Sequence, residues 1–291
     1  MAALSHKKPE GKMVIDIHTH VYPEKIIERT MAKLSSVSGI TPCTNGMKSG
    51  LMDSMKKAGI AYSVIQPVAT SPKQVKRLNW EAVEINQTTR ETGLVSFGAI
   101  HPDTEDYAEV LTAMKQDGIS GIKLHPDYQN AFFNDIRYKR IVEKATDLGL
   151  YIMVHGGVDI GLPEPVHCTP AMVDEMMRDT HTGNLIIAHM GGWRLWDEVE
   201  ELLVGKNLYF DTSFSLACMD EVEGMLSRER FTQIVRDHGA DKIVFGTDSP
   251  WGDQSVFKNW VLGCGLTEEE LSYVMFENSC HILGETRENL S

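Results

Sequence analysis

The sequence predicts an α/β protein: a closed (β/α)8 TIM barrel in a single domain, with extended loops after strands 1 and 5. Three observations predict it. Short, β-rich apolar runs alternate with longer amphipathic runs over most of the 291 residues. The amphipathic runs stop at an x-G step that leads into the next apolar run, the joint of a parallel sheet. The apolar runs number eight, which favours a closed barrel over an open, doubly wound sheet.

In order, the expected strands are M-V-I-D-I-H (13–18), A-Y-S-V-I-Q-P (61–67), L-V-S-F-G-A-I (94–100) and I-S-G-I-K-L-H (119–125). Then come L-Y-I-M-V-H (150–155), N-L-I-I-A-H (184–189), N-L-Y-F-D-T-S (207–213) and K-I-V-F-G-T-D (242–248). Residues 103–118 read as a helix, acidic at its start and stopped by Gly118. Residues 135–149 and 221–239 repeat the pattern, ending D-L-G and D-H-G. Two excursions, 21–50 and 156–183, fall after strands 1 and 5, at the face where barrels carry their sites, and could form a lid. Residues 1–12 read as a flexible lead-in to a barrel domain spanning 13–291. The open sheet lacks its usual support: there is no G-x-G-x-x-G after the first strand and no P-loop.

Composition narrows the function. Hydrophobic residues make up 42% of the chain, enough for a sizeable core. The formal charge of −13 argues against a nucleic-acid partner, which needs a basic footprint, and against a basic membrane-binding helix. A small-molecule substrate is the expected partner, and assembly into a homodimer is left open. The five cysteines are scattered, with no C-x-x-C pair, and read as free thiols. The chain shows no signal-peptide run and no long apolar span, so the cytoplasm is the expected compartment.

The chemistry lies in where the histidines fall. His18 and His20 end strand 1, His101 follows strand 3, and His125 ends strand 4, which also carries Lys123. His155 ends strand 5, His189 ends strand 6 and Asp248 ends strand 8. Burial alone would favour apolar residues at such positions. Period two sets His18 and His20 on one side of their strand, so both imidazoles can meet one cation. His155 from across the barrel and Asp248 would complete a mixed nitrogen and oxygen set. That set suits one divalent metal, Zn2+ by preference, with Mn2+, Fe2+ or Ni2+ as alternatives. His189 is expected beside the metal as a proton acceptor, with Asp248 as ligand and proton acceptor both. Asp16 is a candidate carboxylate for orienting a ligand imidazole, or else mere strand polarity.

The ordered set H-T-H (18–20), V-H-G-G at His155, A-H-M-G-G at His189, G-T-D-S-P-W at Asp248 and the late F-E-N-S-C-H-I-L-G (276–284) resembles the amidohydrolase superfamily. Within it, the chain is similar to the amidohydrolase-related branch that includes aminocarboxymuconate-semialdehyde decarboxylase, over residues 13–284. The resemblance implies a barrel with one divalent metal on His18, His20, His155 and Asp248, and His189 assisting a metal-bound water. A carboxylated lysine on strand 4 bridges two metals in much of the superfamily. Lys123 stands on that strand, but a second metal bridged by it is the disfavoured reading. The branch contains two reactions, and the sequence does not choose between them. One is hydrolysis of a small-molecule ester, lactone or amide by metal-activated water. The other is non-oxidative decarboxylation of an unsaturated or aromatic acid, a carboxy-lyase reaction. A barrel that binds metal only to hold its fold is a third, weaker reading. Lys123, His125, His167, Arg194 and Trp196 are candidate substrate contacts, with Arg137 and Lys139 as further pocket candidates and His101 as structural. An arginine or lysine aimed at the metal would favour a carboxylated substrate, and a neutral lining would favour a lactone or ester.

Overall fold

The computed structural model of the chain describes residues 13–219 and 222–286. The lead-in expected at 1–12 lies outside the described residues. The strands are β1 (Ile15–Thr19), β2 (Tyr62–Ile65), β3 (Leu94–Ser96), β4 (Gly98–Ala99), β5 (Gly121–Leu124), β6 (Tyr151–Val154), β7 (Leu185–Ile187), β8 (Tyr209–Asp211) and β9 (Ile243–Val244). All pairings between them are parallel, in the orders β1-β2-β3 and β4-β5-β6-β7-β8-β9.

β3 and β4 are two pieces of one stave, parted at Phe97. The Phe97 N–H still donates to Ile65 O at 3.0 Å, so the stave stays in line. Helix Pro72–Gln87 supplies what the broken ladder loses: Asn86 Oδ1 accepts the Ser96 N–H at 2.7 Å, and Asn79 Oδ1 accepts the Ala99 N–H at 2.7 Å. The two outer edges meet as well. Ile17 N–H donates to Phe245 O at 2.8 Å, Asp248 N–H to His18 O at 2.8 Å and His20 N–H to Ser249 O at 2.6 Å. The circuit of eight staves is the expected (β/α)8 barrel.

Alternation sorts the side chains into two layers. Ile122, Leu124, Ile152, Val154, Ile187, Phe210 and Ile243 face outward into the large cluster shared with the helices. Ile15, Ile17, Val64, Phe97, Met153, Ile186 and Tyr209 form a separate inner cluster. Every stave gives that inner cluster an apolar residue except β5. Its matching position, paired with Met153, is Lys123, which is 1% exposed.

The helices begin later and end sooner than the sequence pattern suggests. The run at 103–118 is helical over Tyr107–Gln116 and that at 135–149 over Ile136–Asp147, where the Asp135 carboxylate caps the Arg137 N–H at 2.8 Å. The run expected from 221 starts at Arg228, because Leu226 is tied back to Ser215 and Ala217 by backbone bonds of 2.9 and 3.0 Å and Ser227 caps the helix. The first long excursion holds helix Ile27–Ser38, and the second holds helix Pro170–Thr180. Among the described residues no helix is long and apolar enough to cross a membrane.

Candidate active site

The site grows out of the ends of β1, β5, β6, β7, β8 and β9. A register shift between Asp16 and Thr19 lets β1 lift His18 into the barrel mouth. His18 Nδ1 lies 2.7 Å from Asp211 Oδ2, and His20 Nδ1 lies 2.9 Å from Gln66 O. A carboxylate and a carbonyl only accept, so both Nδ1 atoms carry the hydrogen and both Nε2 atoms present lone pairs. Those Nε2 atoms stand 3.1 Å apart. Asp248 Oδ1 is 3.0 Å from the one on His20 and 3.6 Å from the one on His18. Three acceptor atoms thus converge without a hydrogen between them. Two imidazoles and a carboxylate in this arrangement fit a divalent cation. One donor reaches the group: Lys123 Nζ, 3.2 Å from His18 Nε2.

The electrostatics agree. Burial, helped by the Lys123 ammonium, pushes the His18 imidazole down to about 4, against the pull of Asp211. Burial alone would raise Asp211, yet His18, His189 and Ser213 hold it at about 2. Asp248 is likewise held below the usual carboxylate range by His20, His18 and His189 despite its burial. Burial lowers Lys123 to about 8, with Asp211 and Asp248 opposing.

A second group adjoins the first. The pairing of Lys123 with Met153 sets His125 and His155 side by side two residues further on, and their rings stack at 4.2 Å and 9°. His189 Nδ1 lies 2.9 Å from Ser213 O and so donates to it, which leaves His189 Nε2 as an acceptor. His155 Nδ1, 3.0 Å away, must therefore donate to His189 Nε2. His155 Nε2 is left as a lone pair facing Asp159 and Asp127. Burial keeps the His189 imidazole below its ordinary range. His189 and Asp248 both take left-handed backbone, φ +62° and +63°, which turns each side chain back over the barrel mouth.

The structure thus brings His18, His20 and Asp248 together. His155, expected as their fourth partner, offers its free nitrogen to the neighbouring group, and His189 links the two. Asp16 differs from its expectation. Its carboxylate touches no imidazole; it accepts the His18 and Thr247 N–H groups, the Thr247 hydroxyl at 2.6 Å and Gln254 Nε2 at 2.8 Å. Sitting two residues below His18, it lies under the ring and ties β1 to the segment after β9. Burial pushes it up to about 7 against those four donors. The carboxylate that orients the His18 ring is Asp211.

The expected substrate contacts divide. Lys123 and His125 lie at the centre. His167 backs it, with Nδ1 3.0 Å from Asp127 Oδ1. Arg194 turns outward, its guanidinium 4.3 Å from the Trp193 ring and its Nη2 donating to Glu223 O at 3.4 Å. Trp196 is buried and holds the His189 carbonyl through Nε1 at 3.2 Å, so it braces the site rather than lining it. Arg137 pairs with Asp103 and Asp135, and Lys139 with Glu175 and Asp179, on the outer helices. His101 accepts the Asp103 N–H at 3.1 Å and is structural. Sequence reasoning passed over Asp211, Ser213, Asp127 and Asp159. Asp211 had a signal, a carboxylate ending the apolar run N-L-Y-F-D; Asp127 and Asp159 had none.

A parallel barrel with a histidine and aspartate centre at the strand ends defines a class of metal-dependent enzyme. The family model described as amidohydrolase matches residues 15–279, and the chain belongs to that family. It is an enzyme of hydrolase or carboxy-lyase type, in a family generally dependent on metal. No curated protein matches the sequence. Among solved structures, an uncharacterized TIM-barrel protein from Bordetella bronchiseptica is similar over 94% of this chain and 98% of its own, with TM-score 0.70 and 15% identity. 5-Carboxyvanillate decarboxylase from Sphingomonas paucimobilis covers 95% and 100%, with TM-score 0.66 and 13% identity. A probable 2-pyrone-4,6-dicarboxylic acid hydrolase from Acinetobacter baumannii, with citric acid bound, covers 93% and 99%, with TM-score 0.63 and 14% identity. At such identities the likeness is one of fold.

Proposed function

We propose that the chain is a metal-dependent hydrolase of a small uncharged ester, lactone or amide. The observation that carries this reading is the charge lining the site. Among the described residues Lys123 is the one buried lysine or arginine, and its Nζ is engaged with His18. Arg194, Arg137 and Lys139 all point elsewhere. The wall beside the centre carries Asp127 and Asp159, which would repel a carboxylated substrate.

His18, His20 and Asp248 would hold the cation, with Zn2+ preferred and Mn2+, Fe2+ or Ni2+ allowed by the donor set. The ion supplies Lewis acidity there, polarising a carbonyl oxygen and acidifying water. The protein manages the protons. His189 Nδ1 is fixed on Ser213 O, so Nε2, which accepts the His155 Nδ1 hydrogen in this arrangement, is the atom that would take a proton once that bond is released, and burial keeps the ring below its ordinary range. Asp211 keeps the His18 ring in one tautomer and also accepts the His189 backbone N–H at 3.0 Å, locking the two histidines to one carboxylate. The two long excursions approach each other over the mouth, where a Cβ on Gly161 would lie 3.3 Å from Val37, and they would exclude water from the reaction. Five scattered cysteines with no C-x-x-C pair fit a reducing compartment, in keeping with the cytoplasm.

The buried Lys123 ammonium is the one observation that favours the carboxy-lyase reading, since it could pair with a substrate carboxylate once freed from His18. The test is metal analysis followed by two assays on the loaded enzyme. Turnover of lactones or aryl esters is expected. Release of CO2 from hydroxybenzoates without any hydrolysis would overturn the reading. So would His18→Ala, His20→Ala and Asp248→Asn proteins that keep full metal content and activity.

A further inference from the structure

The reaction proposed above leaves one phenol at the barrel mouth unused. Tyr128 stands on the one-turn helix Pro126–Gln129, directly after β5. Gln129 anchors that turn to the barrel: its Oε1 accepts the His125 N–H at 3.1 Å, and its Nε2 donates to Ala69 O at 2.9 Å and to Ile100 O at 2.7 Å. The Tyr128 N–H donates to His125 Nδ1 at 3.5 Å, and the two rings lie nearly parallel, 4.0 Å apart at 3°. His125 stacks in turn on His155 at 4.2 Å. Tyr128 is thus the end ring of a three-ring stack on an anchored turn, which fixes where its hydroxyl stands.

That hydroxyl lies under the meeting of the two excursions. A Cβ on Gly161 would stand 3.9 Å from it and 3.3 Å from Val37. Burial, then Asp159, Tyr22, Asp248 and Asp127, hold the phenol well above its ordinary range, so it stays protonated and can donate. Tyr22 follows β1, Asp159 follows β6 and Asp248 follows β9, so the groups it senses ring the mouth. Tyr128 is half-buried, yet among the described residues its hydroxyl makes no hydrogen bond. Its neighbours differ. The Tyr138 hydroxyl donates to Gln129 Oε1 at 2.8 Å, and Tyr22 pairs with Trp251. A donor shielded from bulk water and left unpaired by the protein is suited to an acceptor on a ligand.

We propose that Tyr128 determines specificity: its hydroxyl donates to a second, uncharged oxygen of the substrate, a ketone or ether oxygen away from the scissile carbonyl. The inference rests on the hydrolase reading above and narrows its substrate class to esters, lactones or amides that carry such an acceptor. The surrounding charge selects a neutral oxygen, since a carboxylate placed there would meet Asp159 and Asp127. The anchored turn supplies the donor already in place, so little freedom is lost when substrate binds.

The test uses the full-length, zinc-loaded protein and matched esters. Phenyl methoxyacetate is paired with phenyl butyrate, and phenyl levulinate with phenyl isocaproate. In each pair an oxygen acceptor stands where its partner has a hydrocarbon group of similar shape. Tyr128→Phe keeps the ring and its stack, and circular dichroism would check its fold. It should lower kcat/KM by about 3–10-fold on the acceptor-bearing member of at least one pair, chiefly through KM, and stay within about twofold on the hydrocarbon member. Taking the ratio of variant to wild type for each ester cancels the esters' intrinsic reactivities. Equal losses on both members of every pair would mean a structural role, and no loss on any ester would mean that the hydroxyl meets no substrate. Either result overturns the inference and leaves the hydrolase reading standing. If wild type cleaves none of the esters, the hydrolase reading falls, and calorimetric binding of the corresponding benzyl ketones, which cannot be cleaved, decides the inference. A wild-type preference of about 3–10-fold for an acceptor-bearing ketone, lost in Tyr128→Phe, would support it. Equal Kd values within every ketone pair would overturn it.

Discussion

Asp211 Oδ2 lies 2.7 Å from His18 Nδ1, and Asp211 Oδ1 accepts the backbone N–H of His189 at 3.0 Å. One carboxylate therefore sets the His18 tautomer and fixes His189, the residue proposed to handle the proton. Asp211→Asn should weaken zinc binding by about 10–100-fold, because the amide can present its N–H to His18 and reverse the tautomer. A competition titration against a chromophoric chelator would measure it. Affinity within threefold of wild type would refute the role.

Cation binding should also be visible as stability. A site that exists only in the folded chain stabilises it by about 2.7 kcal/mol when free metal is a hundredfold above Kd. Chelation should lower the thermal midpoint by several degrees, and zinc should restore it. Asp248→Asn should blunt that response, since it removes one of three converging ligand atoms.

Arg194 tests the turn of one side chain. The sequence places it just after His189, but its guanidinium lies over Trp193, away from the centre. Arg194→Ala should leave kcat/KM within about threefold of wild type, whereas Lys123→Met, removing the one buried ammonium among the described residues, should lower it by more than about 100-fold. A large loss from Arg194→Ala would show that the loop rearranges onto substrate.

Phe97 and Gly121 form a pair inside the barrel. A Cβ at position 121 would stand 2.6 Å from the Phe97 ring. Gly121→Ala should cost about 1–3 kcal/mol through overpacking. Adding Phe97→Leu should recover part of that loss, so that the double-mutant cycle is non-additive by about 1 kcal/mol or more. Urea unfolding of the four proteins would read it out.

His238 gives a pH dependence away from the site. Gly205 N–H donates to its Nδ1 at 3.0 Å, and its Nε2 donates to Leu208 O at 2.9 Å, so the neutral ring is satisfied and a proton on Nδ1 would face an N–H. Burial lowers its pKa from 6.5 to about 4. Between those values the unfolded chain binds the proton and the folded chain does not, so this contribution is complete above pH 6.5 and is lost as pH falls toward 4. At about 1.4 kcal/mol per pKa unit, the loss is roughly 2–3 kcal/mol. In the metal-free protein, His238→Gln should be less stable at neutral pH, with a shallower fall in urea midpoint on acidification. An equal slope in both proteins would refute this.

The staves were legible because a parallel barrel strand, covered on both faces, is written as a short continuous apolar run. His18, His20 and Asp248 were legible because polar groups are costly at such run ends unless they have work there. What stayed hidden was orientation. Nothing in M-V-H-G-G says that His155 hydrogen-bonds His189 through Nδ1 and turns Nε2 the other way. Asp211 could have been found at the end of its strand, but its partner His18 is 193 residues distant. Asp127 lies in the one-turn helix Pro126–Gln129 and Asp159 in the loop after β6, and their contacts with His167, Gly161 and Leu162 are not carried by residue type alone. The break at Phe97 was unreadable for a similar reason: the donors and acceptors that make it tolerable belong to Asn79 and Asn86, on a helix earlier in the chain.

The left-handed backbone at His189 and Asp248 has an evolutionary consequence. Each non-glycine residue held there costs on the order of 1–2 kcal/mol that glycine would not. Glycine at either position would relax the backbone while deleting a group the proposed chemistry needs. Selection for heat resistance alone, in a laboratory library or a lineage released from its substrate, would therefore drift toward sturdier barrels with no activity. Thermal screening of variants of this enzyme should keep a catalytic assay in the loop from the first round.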